Sequence, residues 1–310
     1  MRRFTVLLSI PLLATVALAG CGSSASTPAV SVTGAFAKSA AITIPDQKAS
    51  SSLTIKTLIQ GKGPALGKTD SFVGDYAVYL WRGTTHKLEQ STYKTKSPAV
   101  FVGRLLPGLE TAVRGKKMGS RILAVVPPAD GYGKSGNSQV GIKGTDTLVF
   151  VVDMIKKFGD TASGKQISDG GGTLPTVTAA TGSAPGVKIP SSGAPQSTLV
   201  TKTLIKGSGA PVSKGQTVVA QYVGVIWRTG KVFDASWTRG APFGFTIGAT
   251  PSQVITGWDM GLVGQTVGSR VLLVIPPADG YGKTGSTQAG IKGTDTLVFV
   301  VDILGAVTPG

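Results

Sequence analysis

The chain has 310 residues, with 31 Lys or Arg against 15 Asp or Glu for a net charge of +16, and holds one histidine and one cysteine. At roughly 150 residues per domain that length suggests about two domains. A zinc centre needs three or four His, Cys or carboxylate ligands, and a Ser-His-Asp triad needs a dedicated base. The composition argues against both, so no metal and no cofactor are expected.

Charged residues are 15% of the chain, and 44 positions are glycine. Charge below the usual quarter with about twice the usual glycine favours turns and strands over long helices. The N-terminus reads as a targeting signal over residues 1–20. Arg2 and Arg3 precede an apolar run, residues 4–20, that closes on Leu18, Ala19, Gly20 and Cys21. This pattern resembles a bacterial lipoprotein signal. The resemblance implies cleavage before Cys21 and a diacylglycerol on its sulfur. It also implies a tether over residues 21–27 and residence on the outer face of the bacterial cytoplasmic membrane. With Cys21 as the one thiol, the folded body would have no disulfide and would rest on core packing.

An internal repeat organises the remainder. Residues 119–155 match residues 268–304 without a gap at about 28 of 37 positions. Upstream, Tyr76 and Trp81 answer Tyr222 and Trp227, after which the register slips by about three residues. Two units are expected, residues 28–157 and 175–310, joined by a linker over 158–174 that contains Gly170, Gly171 and Gly172. Each unit opens alike: Pro28 and Pro175 lead to Gly34 and Gly182, then to the Ile44-Pro45 and Ile189-Pro190 steps. These openings read either as drifting linkers or as an ordered extension of each unit, an added edge strand where proline is tolerated.

Within a unit the pattern is mostly strand. Residues 217–227 and 296–303 are rich in Val and aromatics, as buried strands are, and Pro276 and Pro277 end the strand 270–275. The helix expected is short, with Ile255, Trp258 and Leu262 on one face. The fold class is α+β, an antiparallel sheet wrapped on one short helix, occurring twice. Gly131, Gly133 and Gly136, like Gly280, Gly282 and Gly285, fit G-x-G-x-x-G. They follow a Pro-Pro break and lead toward a strand, whereas a dinucleotide site leaves a strand and opens a helix. His86 lies in a polar stretch and reads as a solvated loop side chain.

Read in order, the second repeat holds Tyr222 and Gly224; Gly230, Phe233, Asp234 and Ser236; Arg239, Pro242, Phe243 and Phe245; Gln253, Val254, Ile255, Gly257 and Trp258; Pro277, Tyr281 and Gly282; and Phe299. From about residue 199 to 304 this order and spacing resembles the FKBP-type peptidyl-prolyl cis-trans isomerases. The resemblance implies a proline pocket lined by Tyr222, Phe233, Phe243, Val254, Ile255, Tyr281 and Phe299 over a Trp258 floor. Asp234 would stand at the pocket edge, Ile291 would flank the entrance, and Arg239 and Phe245 would assist substrate binding. It further implies isomerisation of X-Pro bonds in unfolded or exported proline-containing polypeptides, and binding of a macrolide inhibitor. Such a reaction breaks no bond, so it needs neither nucleophile nor general base.

The first repeat keeps Tyr76, Tyr132, Ile142 and Phe150. Leu88 and Glu89 are expected at the Phe-Asp positions, Ala99 at the Phe243 position and Leu109 at the floor. A pocket without those rings is wider and grips proline less, so activity is expected mainly in the C-terminal domain. The alternative is a non-catalytic holdase lipoprotein that uses the pocket only for docking. Residues 28–157 carry 18 basic side chains against 8 acids, and residues 175–310 carry 10 against 5. This excess reads as a soluble basic surface or as one resting on an anionic membrane or wall. Nucleic acid is not expected, because the aromatics that would stack on bases are committed to pockets.

Overall fold

In the strand Thr217–Ile226 every residue after the first is buried, so both faces of its sheet must be covered. The computed structural model, which describes residues 29–95, 97–178 and 183–308, shows how. Val218, Ala220, Tyr222 and Ile226 face a core that includes Trp258 and Leu262 of the helix Thr256–Leu262. Val223, Val225 and Trp227 face a second core on the opposite side. The strands Arg270–Ile275 and Leu297–Val307 divide likewise, with Leu273, Phe299 and Val301 toward the helix and Leu272, Val298 and Val300 behind. Successive side chains point to opposite faces, and here both faces are apolar.

The second sheet runs in the order Val232–Ala235, Thr217–Ile226, Leu297–Val307, Arg270–Ile275, Val200–Lys206, Lys165–Gln166, and Phe243–Thr246 also pairs with Thr217–Ile226. The first runs Thr54–Ile59, Arg121–Val126, Thr147–Lys157, Phe72–Arg82, Thr85–Ser91, and Ala99–Phe101 also pairs with Phe72–Arg82. The helix Pro107–Val113 fills the place that Thr256–Leu262 holds in the second sheet. All these pairings are antiparallel. This is the α+β organisation expected, two sheet-and-helix units in tandem.

The openings of the two units are ordered, but they are not edge strands. Ser31–Thr33 pairs with Ala41–Thr43, and Thr176–Thr178 pairs with Gly186–Lys188, as separate two-stranded ribbons. Val30 and Ile44 lie against Trp81, Leu123 and Val149, and Val177 lies against Val225, Leu272 and Val298. Each ribbon is therefore the lid of a back core, which is why the strands beneath it are apolar on both faces.

That back face also buries a charge. Arg121 donates to both oxygens of Asp153 at 2.7 and 2.6 Å, and Arg270 to both of Asp302 at 2.6 and 2.8 Å. A buried ion pair must have its remaining donors and lone pairs satisfied. In the first unit the ribbon's own turn does this: Gly34 and Lys38 carbonyls accept from Arg121, and the Ala37 N–H donates to Asp153. In the second unit the segment expected as a linker does it instead. The Thr161 hydroxyl and Ala162 N–H donate to Asp302, and Lys165–Gln166 extends the sheet.

Phe158 continues from the first sheet into an apolar contact with Val219 and Leu304 of the second, joined by Val73, Val100 and Val102 of the first. Val102 packs on Gly244 so closely that a Cβ there would lie 2.5 Å from its Cγ1. The strands Ala99–Phe101 and Phe243–Thr246, which border the two sites, thus lie at the junction of the domains. His86 is not in a loop; it lies in the strand Thr85–Ser91, with its Nε2 3.5 Å from an Asp46 carboxylate oxygen. The leader and Cys21 lie outside the described residues.

Candidate functional site

The helix-side core of the second domain opens to solvent in a cavity of about 380 Å³, lined by Tyr222, Phe233, Asp234, Arg239, Phe243, Gln253, Val254, Ile255, Trp258, Tyr281 and Phe299. Trp258, in the first turn of its helix and 3% exposed, is the floor. Its ring meets Tyr222 at 5.1 Å, Phe299 at 5.3 Å and Phe245 at 5.3 Å between centroids, edge to face in each case. Such pairs add to burial by matching ring edge to ring face. The Trp258 indole N–H is buried and has no hydrogen-bond partner, so it stands as one unpaired donor in an otherwise apolar floor.

Phe233 reaches the cavity through a bulge. The register pairs Gly224 with Asp234 and Val225 with Val232, which leaves Phe233 unpaired and turned inward. Its ring packs edge-on to Phe299 at 5.5 Å. Position 224 must be glycine for this, because a Cβ would lie 2.8 Å from both rings. The strand's return is fixed by Ser236, whose hydroxyl accepts from the Tyr222 N–H at 2.8 Å.

One edge is polar. The Tyr222 hydroxyl donates to Asp234 and accepts from Arg239 at 2.6 Å, while Arg239 also pairs with Asp234. Burial, followed by the hydrogen bond to Asp234, pushes the Tyr222 hydroxyl up to about 12. Burial and then the charge of Asp234 raise Tyr281 as well. Both phenols keep their protons well above neutral pH and can act as donors.

The first domain has a larger cavity of about 550 Å³ at the matching place, with Tyr76, Leu109, Tyr132, Ile142 and Phe150 in its lining. Its strand register corrects the expected correspondence. Val78 pairs with Gln90 and Tyr79 with Leu88, so Glu89 is the bulged residue. Glu89 therefore stands where Phe233 does and Gln90 where Asp234 does; Leu88 matches Val232. The hairpin is two residues longer here, which hid this register in a region of weak similarity. Val78 replaces Gly224 and fills the space the two rings need. Ala99 does take the Phe243 position, opposite Gly74 as Phe243 is opposite Ala220. Phe101, which sequence comparison missed, matches Phe245 and stacks on Phe72 at 4.4 Å.

The sequence model of the family described as FKBP-type peptidyl-prolyl cis-trans isomerase matches the chain twice, over residues 64–155 and 209–304. The chain belongs to this family of isomerases. Its relatives include the FK506-binding protein of Streptomyces anulatus, 45% identical over 36% of this chain and 89% of that protein. The probable FK506-binding protein of Corynebacterium glutamicum is 39% identical over 39% of this chain and 98% of that one. The crystal structure of the three FKBP domains of wheat FKBP73 aligns with 83% of this chain and 95% of its own, at 23% identity and a TM-score of 0.33.

Within this FKBP-type isomerase, the second domain brings nine of the expected residues and Arg239 to one cavity. Two others lie elsewhere. Ile291 is 4% exposed and packs into the core instead of flanking the opening. Phe245 is 2% exposed and supports the site from below, stacked on Phe243 at 5.4 Å. Gln253 was missed as a lining residue: its side-chain oxygen accepts from the Thr246 N–H at 2.8 Å, tying the loop before the helix to the Phe243 strand.

Proposed function

We propose that this isomerase turns over X-Pro bonds of exported polypeptides and that its second domain does most of the work. The observation that carries the reading is the cavity of about 380 Å³, open to solvent and walled by the rings of Tyr222, Phe233, Phe243, Trp258, Tyr281 and Phe299, which has room for a proline and its neighbours. Amide resonance holds the X-Pro bond with a barrier of about 18–20 kcal/mol, and uncatalysed exchange takes tens to hundreds of seconds. In the twisted transition state the amide has lost resonance and carries less charge on its oxygen. An apolar, ring-walled site favours that state over the planar, more dipolar ground state. Tyr281 and the Ile255 N–H donate to substrate carbonyls. Asp234 holds Tyr222 and Arg239 in place; no proton has to be removed, so it serves as no base.

Family members in general bind proline-containing peptides and macrolides, which supports both as ligands of this cavity. The wider first cavity, with Glu89 in place of a ring, supports binding without efficient turnover there. The decisive experiment is an X-Pro peptide isomerisation assay on the full chain and on Trp258→Leu, which installs the first domain's floor. Wild type should accelerate exchange and the variant should fall by tenfold or more. No acceleration by wild type would leave only the binding function, and a variant retaining half the rate would overturn the assignment of most turnover to the Trp258 floor.

For location, the leader pattern supports a lipid on Cys21 and an exported body, with the basic first domain toward an anionic membrane or wall. No helix among the described residues is long and apolar enough to cross a membrane. Lipid labelling that survives Cys21→Ser would overturn the anchor.

A further inference from the structure

Arg239 lines the proline cavity and also a second one, of about 600 Å³, at the junction of the domains. The rest of that groove comes from both sides: Lys68, Thr69, Gly103, Arg104, Glu110 and Arg114 from the first domain, and Gly240, Ala241 and Pro242 from the second. Four of its side chains are cationic and one is anionic. Arg114 is matched by Glu110 at 3.1 Å and is further held by the Gly67 and Asp70 carbonyls. Arg239 is matched by Asp234. Lys68 and Arg104 are exposed and have no ion-pair partner among the described residues. The groove therefore carries two unmatched positive charges beside the catalytic cavity, and both come from the domain whose own pocket is degraded.

We propose that this groove is a specificity subsite of the isomerase, which takes an acidic stretch of the polypeptide whose proline sits in the second domain's cavity. Continuity through Arg239 decides the occupant: a chain leaving the proline cavity on that side enters the groove that Lys68 and Arg104 line. The first domain then selects among substrates while the second converts them.

The inference rests on the proposed X-Pro activity, and its test separates the two. Full-length protein is assayed with peptides sharing one X-Pro core, flanked on either side by three Glu or three Gln. Exposed ion pairs are weak singly and screened by salt, so the Glu series should be preferred by about fivefold at low salt, with the preference lost toward 1 M. Lys68→Glu with Arg104→Glu should reverse the Glu-to-Gln preference. Failure to turn over the Gln peptide would overturn the isomerase reading itself. Turnover of the Gln peptide with no Glu preference, or with one that survives the charge reversal, would overturn the subsite alone.

Discussion

The two cavities of this chain are built on like sheets and helices and share three lining residues at matching places, Tyr76 with Tyr222, Tyr132 with Tyr281 and Phe150 with Phe299, yet one is a ring-walled slot and the other a wider hollow. What separates them is one hairpin and one helix turn. The bulge that turns Phe233 inward persists in the first domain but there carries Glu89. A glycine that gives way to two rings becomes Val78, and the Trp floor becomes Leu109. The comparison teaches that the backbone of such a site can be kept while its occupancy is changed by a few side chains. Ile142 even lines the first cavity, whereas Ile291 is withdrawn into the core of the second.

The largest effect that tests this contrast concerns the back face, where the domains are alike in charge but not in cover. Asp302→Ala should destabilise the second domain by about 3–5 kcal/mol, because Arg270 is left buried and unpaired. Thermal unfolding should then split into two transitions, with the first domain unmoved. Gly224→Val brings the first domain's residue into the second and should lower kcat/KM for an X-Pro peptide by at least about tenfold, since its Cβ would meet both Phe233 and Phe299. Near-native kinetics would mean that the two rings are not needed together. Tyr222→Phe keeps the ring and removes the hydroxyl between Asp234 and Arg239; a loss of about fivefold in kcat/KM is expected, the worth of one hydrogen bond of about 1 kcal/mol.

The smallest effect is with pH. No histidine lines the second cavity, so kcat/KM should be flat from about pH 6 to 9. Tyr222 is held at about 12 against an ordinary value of 10.0. A folded value above the unfolded one means the protonated form is favoured in the fold. Its contribution is intact below pH 10 and is lost as pH rises toward 12. A fall in second-domain stability over that window, absent in Tyr222→Phe, checks the sign.

Much of this was legible in the residues. Strands such as Arg270–Ile275 announce themselves by unbroken apolar runs, and the short helix by the spacing of Ile255, Trp258 and Leu262. The ring set of the second site followed from order and spacing. What was not legible depends on register and on distant contact. Leu88 and Glu89 were expected where Glu89 and Gln90 stand, one position off, because a longer hairpin leaves no mark in residue type. Ile291 looks like any loop aliphatic until the fold buries it. The ribbons at each unit's start have the composition of tethers; only the apolar back face beneath them, with Trp81 and Trp227, required a lid.

The cover over Arg270 and Asp302 also orders events during synthesis. Its two sides, Thr161 and Asp302, are separated by 141 positions in the chain, and the last of them lies in the final strand Leu297–Val307. The first domain's equivalent closure, Ala37 with Asp153, spans 116 and is complete before the second sheet begins. Contacts so distant in sequence close slowly. A nascent chain thus carries a finished first domain and an open second one, and the ring-walled cavity is the later of the two to close.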